Sequence, residues 1–183
     1  MTGWLGWSAA GHAVLSRGFR SPRAFVEAHR RPEPPYHAGP AAAGLGATAM
    51  CDVSDGLIAD LGHIAEASKV RIDIRSGTID IPSQMNDIGQ AVGVDPMQWV
   101  LTGGEDHAIV ATFPPDVKLP ARWKVIGEVL NPSALPQVTV DGRPGRPRRL
   151  GPLRGHRVMS APPGVLTVAG SDSGGGAGDP GRP

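Results

Sequence analysis

A single cysteine, Cys51, stands among 183 residues. That excludes an intramolecular disulfide framework and any multi-thiolate metal site, and it fits a reducing compartment. No apolar run approaches the roughly 18 residues needed to cross a bilayer. The N-terminus carries no charged-then-apolar leader with a cleavage site, so nothing supports secretion. Neither sign of charge dominates: 18 basic against 17 acidic side chains leave a formal +1. That balance argues for neither a nucleic-acid nor a membrane partner. The expectation is a cytoplasmic chain holding one ordinary domain or two very small ones.

Glycine and proline are plentiful instead, at 26 and 19 residues, against usual shares of roughly 7% and 5%. The excess is uneven. From Met1 to Asp141 the chain reads as a globular fold, whereas Gly142 to Pro183 is largely Gly, Pro, Arg and Ser with few apolar anchors. The expected boundary lies near Asp141, with residues 142–183 as a disordered tail.

Within the globular part, Ser8 to Phe19 reads as a helix with Ser8 as its N-cap, and Pro22 to His29 as a second. Arg30 to Pro40 (RRPEPPYHAGP) is too proline-rich for regular structure. Ala47 to Val53 has the profile of a short buried strand. Leu57 to Ser68 follows with Leu57, Leu61, Ile64 and Ala65 at helical spacing. Val70 to Ile74 alternates like a strand, and Ile81 to Val92 reads as a helix. Trp99 to Leu101 and Ile109 to Phe113 read as strands flanking a Gly-Gly turn. Trp123 to Val129 and Val138 to Val140 supply two more. Helices alternating with short apolar strands indicate an α/β (α+β) layer around one core.

Two motifs can carry chemistry. Asp52-Val53-Ser54-Asp55-Gly56 falls where a strand ends and a helix begins, a place whose free N–H groups and helix dipole favour a phosphate. Asp52 and Asp55 repel one another unless a hard cation lies between them. The pair is therefore a candidate Mg²⁺ site bridged to a nucleotide. Ser54 is placed to donate to a phosphate oxygen, and Gly56 permits close approach. The plainer alternative is that Ser54 or Asp55 only caps the helix. The second motif, Thr102-Gly103-Gly104-Glu105-Asp106-His107, is either a substrate loop presenting Glu105 to a cationic group or a strand-connecting turn with solvated charges.

Other features offer less. The histidines never adopt an H-x-x-x-H spacing, and His63 is placed for a surface hydrogen bond with Asp60 three residues earlier. Cys51 reads as a small buried hydrophobe. Arg143 to Arg157 is basic without interleaved aromatics and reads as a solvated tail rather than an RNA-binding segment. Gly170 to Gly178 (GSDSGGGAG) has the layout of a phosphate cradle but lacks the P-loop lysine.

DVSDG and GGED on one chain, with the helix DVSDGLIADLGHIAEAS, closely resemble thiamine-monophosphate kinase of the actinobacterial type. TGWLGWSAAGHAVLSRGF, AHRRPEPPY, ATAMCDVSDGL and LTGGEDHAIVATFP look like successive blocks of that family, and the resemblance runs from about Thr2 to Asp141. It implies the C-terminal domain of the superfold shared with aminoimidazole ribonucleotide synthetase and selenophosphate synthetase. It also implies transfer of the γ-phosphoryl of ATP to thiamine monophosphate, giving thiamine diphosphate. By that resemblance Asp52 and Asp55 are Mg²⁺ ligands, Ser54 contacts ATP and Glu105 contacts the thiamine substrate. No general base is assigned, because a substrate phosphate is already a nucleophile near neutral pH.

The resemblance carries departures with it. By the resemblance the family enzyme is a two-domain homodimer about twice as long as the matching segment, and the expectation is that its N-terminal ATP-binding domain is missing here. The expectation is therefore a fragment inactive on its own; the alternative is a non-catalytic remnant or weak Mg-nucleotide-binding domain. Where the family closes with a Gly-Trp-Asp-His-Phe type segment, this chain has Arg149-Leu150-Gly151-Pro152-Leu153-Arg154. The permitted back-translation CGG CTG GGA CCA CTT CGG, read one base later, gives Gly-Trp-Asp-His-Phe-Gly. From Met159, MSAPPGVLTVAGSDSGGGAG resembles the opening of hydroxymethylpyrimidine-phosphate kinase. The expectation is two frame changes in neighbouring genes, which would account for both ends of the tail.

Overall fold

The structure, a computed structural model, describes residues 1–131 and 137–145. The chain opens with three helices, α1 (Trp7–Leu15), α2 (Arg23–Arg30) and α3 (Ala38–Gly44). Strand β1 (Ala49–Val53) leads into α4 (Leu57–Ser68) and then β2 (Arg71–Ile74). A single 3-10 turn (Ser76–Thr78) precedes α5 (Ser83–Val92) and α6 (Pro96–Thr102). The remaining strands are β3 (Ala108–Thr112), β4 (Gly127–Leu130), β5 (Gln137–Val140) and β6 (Arg143–Pro144).

The strands form two small sheets. β1 and β3 pair antiparallel, with Ala49 opposite Thr112 and Val53 opposite Ala108, and Thr2 adds a bridge to Ile109. The second sheet has the order β4-β2-β5-β6, in which β2 and β5 run parallel and the other pairs are antiparallel. The element joining them is α4, whose apolar stripe of Leu57, Ile58, Leu61, Ile64 and Ala65 is buried. Those side chains meet Val53 of β1 and Val138 of β5 in one core. Each fully buried Leu or Ile in that stripe contributes about 1.5–3 kcal/mol of transfer free energy. The stripe therefore fixes where the N-terminus of α4, and with it the DVSDG loop, stands. Among the described residues no helix is long and apolar enough to cross a membrane.

The mixed helix and strand layers, α2, α4, α5, β2, β3 and β5 follow the sequence reading closely. Six elements depart from it. Trp99–Leu101 belongs to helix α6 rather than a strand: Asp95 caps that helix, its Oδ1 accepting the Met97 amide at 2.9 Å, and Pro96 opens it. Ser8 is not an N-cap. It lies inside α1, buried, while Gly6 occupies the cap position without a side-chain bond. Helix α3 enters the segment read as irregular, with Ala38 and Ala42 buried against Trp123. That same Trp123 precedes β4 rather than belonging to it. Strand β1 is only half buried, since Asp52 and Met50 face outward while Val53 is fully covered. The sheet also continues past Asp141 into β6.

Candidate functional site

The DVSDG loop ends β1 and opens α4. Its conformation is set by Asp60, one turn into the helix and 5% exposed. Asp60 Oδ2 accepts the Asp55 amide at 3.0 Å and the Gly56 amide at 3.1 Å. Burial pushes the Asp60 carboxyl up, against the pull of those amides. Neither Ser54 nor Asp55 caps α4, because Gly56 is the cap residue and makes no side-chain bond. The direction is reversed: the helix side chain secures the loop, leaving the Asp52 and Asp55 carboxylates exposed. Sequence reasoning passed over Asp60 and paired it with His63. The structure gives His63 no hydrogen bond to Asp60 among the described residues.

The GGED loop is packed directly on this one. The Glu105 amide donates to the Ser54 carbonyl at 2.8 Å, and the His107 amide to the Val53 carbonyl at 2.9 Å. Two glycines permit the approach. A Cβ on Gly104 would stand 2.3 Å from the Ser54 oxygen, and one on Gly56 2.9 Å from the Thr102 carbonyl carbon. Gly56 also has φ +120°, a backbone that other residues avoid. The two motifs, fifty residues apart in the chain, thus form one surface.

The two adjacent acids of GGED have opposite fates. The Glu105 side chain is 73% exposed, on a left-handed backbone with φ 65°. Asp106 turns inward and takes the role expected of Ser8. Its Oδ2 accepts the Gly6 amide at 2.6 Å and its Oδ1 the Ser8 amide at 2.8 Å, which satisfies the N-terminus of α1. Desolvation pushes the Asp106 carboxyl up to about 6, opposed by the Ser8, Gly6 and Trp7 amides and by His107. Ser8 Oγ lies 3.0 Å from His29 Nδ1, and burial holds that imidazole below its usual range.

Acidic ligand atoms are arranged in two places. Asp55, Asp60 and His63 each offer an atom within 4.8 Å of the others. Asp52 lies outside that group, with its Oδ2 3.2 Å from His107 Nδ1. The carboxylates are hard oxygen donors beside a helix N-terminus, a donor set that fits Mg²⁺. Cys51, next to Asp52 in β1, is partly buried, its thiol pushed up to about 12 by desolvation, then by Asp60 and Asp52. A cavity of about 520 Å³ lies elsewhere, between β2, β4 and the Phe113–Pro115 segment. Its lining includes no residue of DVSDG or GGED. The motif surface is the candidate site, because exposed hard oxygen donors stand there at the start of a helix.

Comparison with known proteins bears on that surface. No protein-family model matches the chain. Thiamine-monophosphate kinase of Mycobacterium tuberculosis (strain CDC 1551 / Oshkosh) is 50% identical over 146 residues, 78% of this chain and 42% of the relative. The Corynebacterium glutamicum enzyme of the same name is 38% identical over 144 residues, 76% of this chain and 43% of its own length. The crystal structure of thiamine monophosphate kinase from Aquifex aeolicus superposes with a TM-score of 0.71 at 30% identity, covering 80% of this chain and 50% of that one. This chain is a thiamine-monophosphate kinase homologue. Its fold is that of the aminoimidazole-ribonucleotide-synthetase-like proteins. A further thiamine-monophosphate kinase structure, complexed with AMPPCP and TMP, matches with a TM-score of 0.68 at 30% identity over 80% of this chain and 48% of that one. The chain spans about two fifths of the length of the curated thiamine-monophosphate kinases it matches. The tail with its resemblance to hydroxymethylpyrimidine-phosphate kinase, and the segment matched to Gly-Trp-Asp-His-Phe, lie outside the described residues.

Proposed function

We propose that this chain carries the nucleotide- and substrate-facing surface of a thiamine-monophosphate kinase, which transfers the γ-phosphoryl of ATP to thiamine monophosphate. The observation that supports it best is the Glu105–Ser54 hydrogen bond at 2.8 Å, because it joins the residue assigned to the substrate to the residue assigned to the nucleotide. Asp52 and Asp55 would hold Mg²⁺, which when bound would neutralise phosphate charge as it develops. Ser54 donates its hydroxyl to a phosphate oxygen beside the α4 N-terminus. Glu105, exposed at the loop tip, attracts the cationic thiazolium. No side chain acts as general base, since the acceptor phosphate is itself the nucleophile. In-line transfer needs little covalent help, so positioning and charge neutralisation supply the acceleration. The complex of a relative with AMPPCP and TMP supports both ligands.

The kinase-like domain takes in residues 1–141 and the β6 extension at Arg143–Pro144, and a tail follows it. The working enzyme is a cytoplasmic homodimer of longer chains, with no nucleic-acid or membrane partner. Because the chain spans 42% of its mycobacterial relative, a second reading applies to the 183-residue polypeptide by itself: a weak Mg-nucleotide-binding domain without turnover.

A chimera tests the proposal. Residues 2–141 replace the matching stretch of the Mycobacterium tuberculosis enzyme, and ATP-dependent formation of thiamine diphosphate is measured. The chimera is expected to turn over, and D52N, D55N and E105Q each to lose at least about a hundredfold. Variants that keep full activity in an active chimera would overturn these assignments. The 183-residue chain alone is expected to yield no product above a protein-free blank.

A further inference from the structure

His107 faces both halves of the motif surface at once. Its Nδ1 lies 3.2 Å from Asp52 Oδ2, and its Nε2 lies 3.7 Å from Glu105 Oε2. We propose that His107 is a positioning residue that ties the carboxylate assigned to the cation to the carboxylate assigned to the substrate. Occupancy at Asp52 is then felt at Glu105. The inference rests on the functional reading above and extends it to a residue to which that reading gives no role.

Backbone geometry makes this more than an exposed ion pair, which alone contributes about 0–1 kcal/mol. His107 sits at φ 52° and Glu105 at φ 65°, both in the left-handed region that costs a non-glycine residue free energy. Between them Asp106 is anchored on the Gly6 and Ser8 amides. The His107 amide is itself bonded to the Val53 carbonyl at 2.9 Å, one residue from Asp52. The ring therefore projects from a backbone held at both ends and is 32% exposed, so its position does not depend on the strength of either charge contact. With Oδ2 of Asp52 directed at the ring, Oδ1 is left to a cation, the arrangement in which a neighbour orients a metal-binding carboxylate. A cation that draws Asp52 toward itself changes what the ring meets on that side. The same ring then changes what it offers Glu105 on the other.

The test uses the full 183-residue chain and thiamine itself as probe, since thiamine lacks the phosphate that would touch Mg²⁺ directly. Thiamine affinity is measured by calorimetry with and without Mg²⁺ in the wild type, H107F and H107Q. In the wild type Mg²⁺ is expected to change the affinity at least about fivefold, a normal size for coupled sites. In H107F the change should fall below twofold, with H107Q between them. Equal coupling in all three proteins, or independent binding in the wild type, would overturn this inference and leave the functional reading standing. Failure of the wild type to bind either ligand would overturn this inference, while the chimera decides the functional reading. If H107F does not fold, the ring-nitrogen NMR signals of wild-type His107 decide the matter. Mg²⁺ alone is expected to move them and D52N to abolish the movement; signals that stay fixed would count against the tie.

Discussion

The Glu105 amide donates to the Ser54 carbonyl at 2.8 Å. A bond of this kind runs between main-chain atoms and is not carried by the Ser54 or Glu105 side chain, so the relative placement of the two loops is a property of the backbone. The side chains that stand on them, Asp52, Asp55 and Glu105, remain exposed and available. The fold thus separates holding the site from doing its chemistry.

Gly104 is the position where that separation is most easily broken. A methyl there would lie 2.3 Å from the Ser54 oxygen, a main-chain atom that cannot turn aside. G104A should push the loops apart and cost about 1–3 kcal/mol, the usual range for overpacking. Gly62, inside α4 with nothing within 4 Å of an added Cβ, is the control. G62A should raise stability by up to about 1 kcal/mol through helix propensity. Urea midpoints of the two variants check this, and a G104A midpoint equal to the wild type would disprove the close contact.

Asp60 offers a second check. With the Asp55 and Gly56 amides as its partners, D60A leaves two donors at the loop without an acceptor, at a cost of about 1–3 kcal/mol each where they stay buried. Hydrogen exchange at Asp55 and Gly56 is expected to accelerate in D60A. Exchange at Gly6 and Ser8, which depend on Asp106, should not change. Unaltered protection at Asp55 and Gly56 would show that Asp60 does not secure the loop.

How far all this could be read from the residues depends on the range of the interaction involved. Helix α4 was legible to its ends because its apolar spacing is a local signal that burial then obeys. Both motifs were legible as candidates, and so was the strand-to-helix position of DVSDG. Their contact was not, since nothing local in GGED announces that its glycine will rest on Ser54. Capping of α1 failed for the same reason: a serine beside the helix looks sufficient until Asp106, 98 residues away, takes its amide. Trp99–Leu101 was misread because three apolar residues carry no period. The Asp95-Pro96 start signal just before them was local and was overlooked. Spacing in the sequence does not single out His107, because its partners Asp52 and Glu105 converge on it only in three dimensions.

The Asp95 cap can be tested alone. Its side chain accepts the Met97 amide at 2.9 Å at an exposed helix start. D95A should cost about 1 kcal/mol, and D95S or D95N very little, because each supplies an acceptor at the same place. Thermal midpoints in the order wild type, D95S and D95A check it. A D95A protein as stable as the wild type would mean that packing of Trp99 and Val100 holds α6 without its cap.

Asp106 gives the fold a dependence on pH whose sign can be worked out. Its folded carboxyl is pushed up to about 6 by desolvation, against an unfolded value near 3.9. Between those values the folded chain holds a proton that the unfolded chain has released, so stability attributable to this group falls as pH rises through that window. Below about pH 4 both states are protonated, and above about pH 6 both are ionised, so the profile flattens at each end. Two units correspond to at most about 3 kcal/mol. D106N keeps the shape of the side chain but cannot titrate. At low pH the protonated carboxyl and the carboxamide offer the Gly6 and Ser8 amides similar acceptors. The informative quantity is therefore the slope of the difference. Urea unfolding of wild type and D106N at pH 4.5 and 6.5 is expected to show the wild type losing about 1 kcal/mol or more relative to D106N as pH rises. Parallel profiles would mean that the amides at the α1 N-terminus hold Asp106 ionised throughout, and that desolvation does not govern this carboxylate.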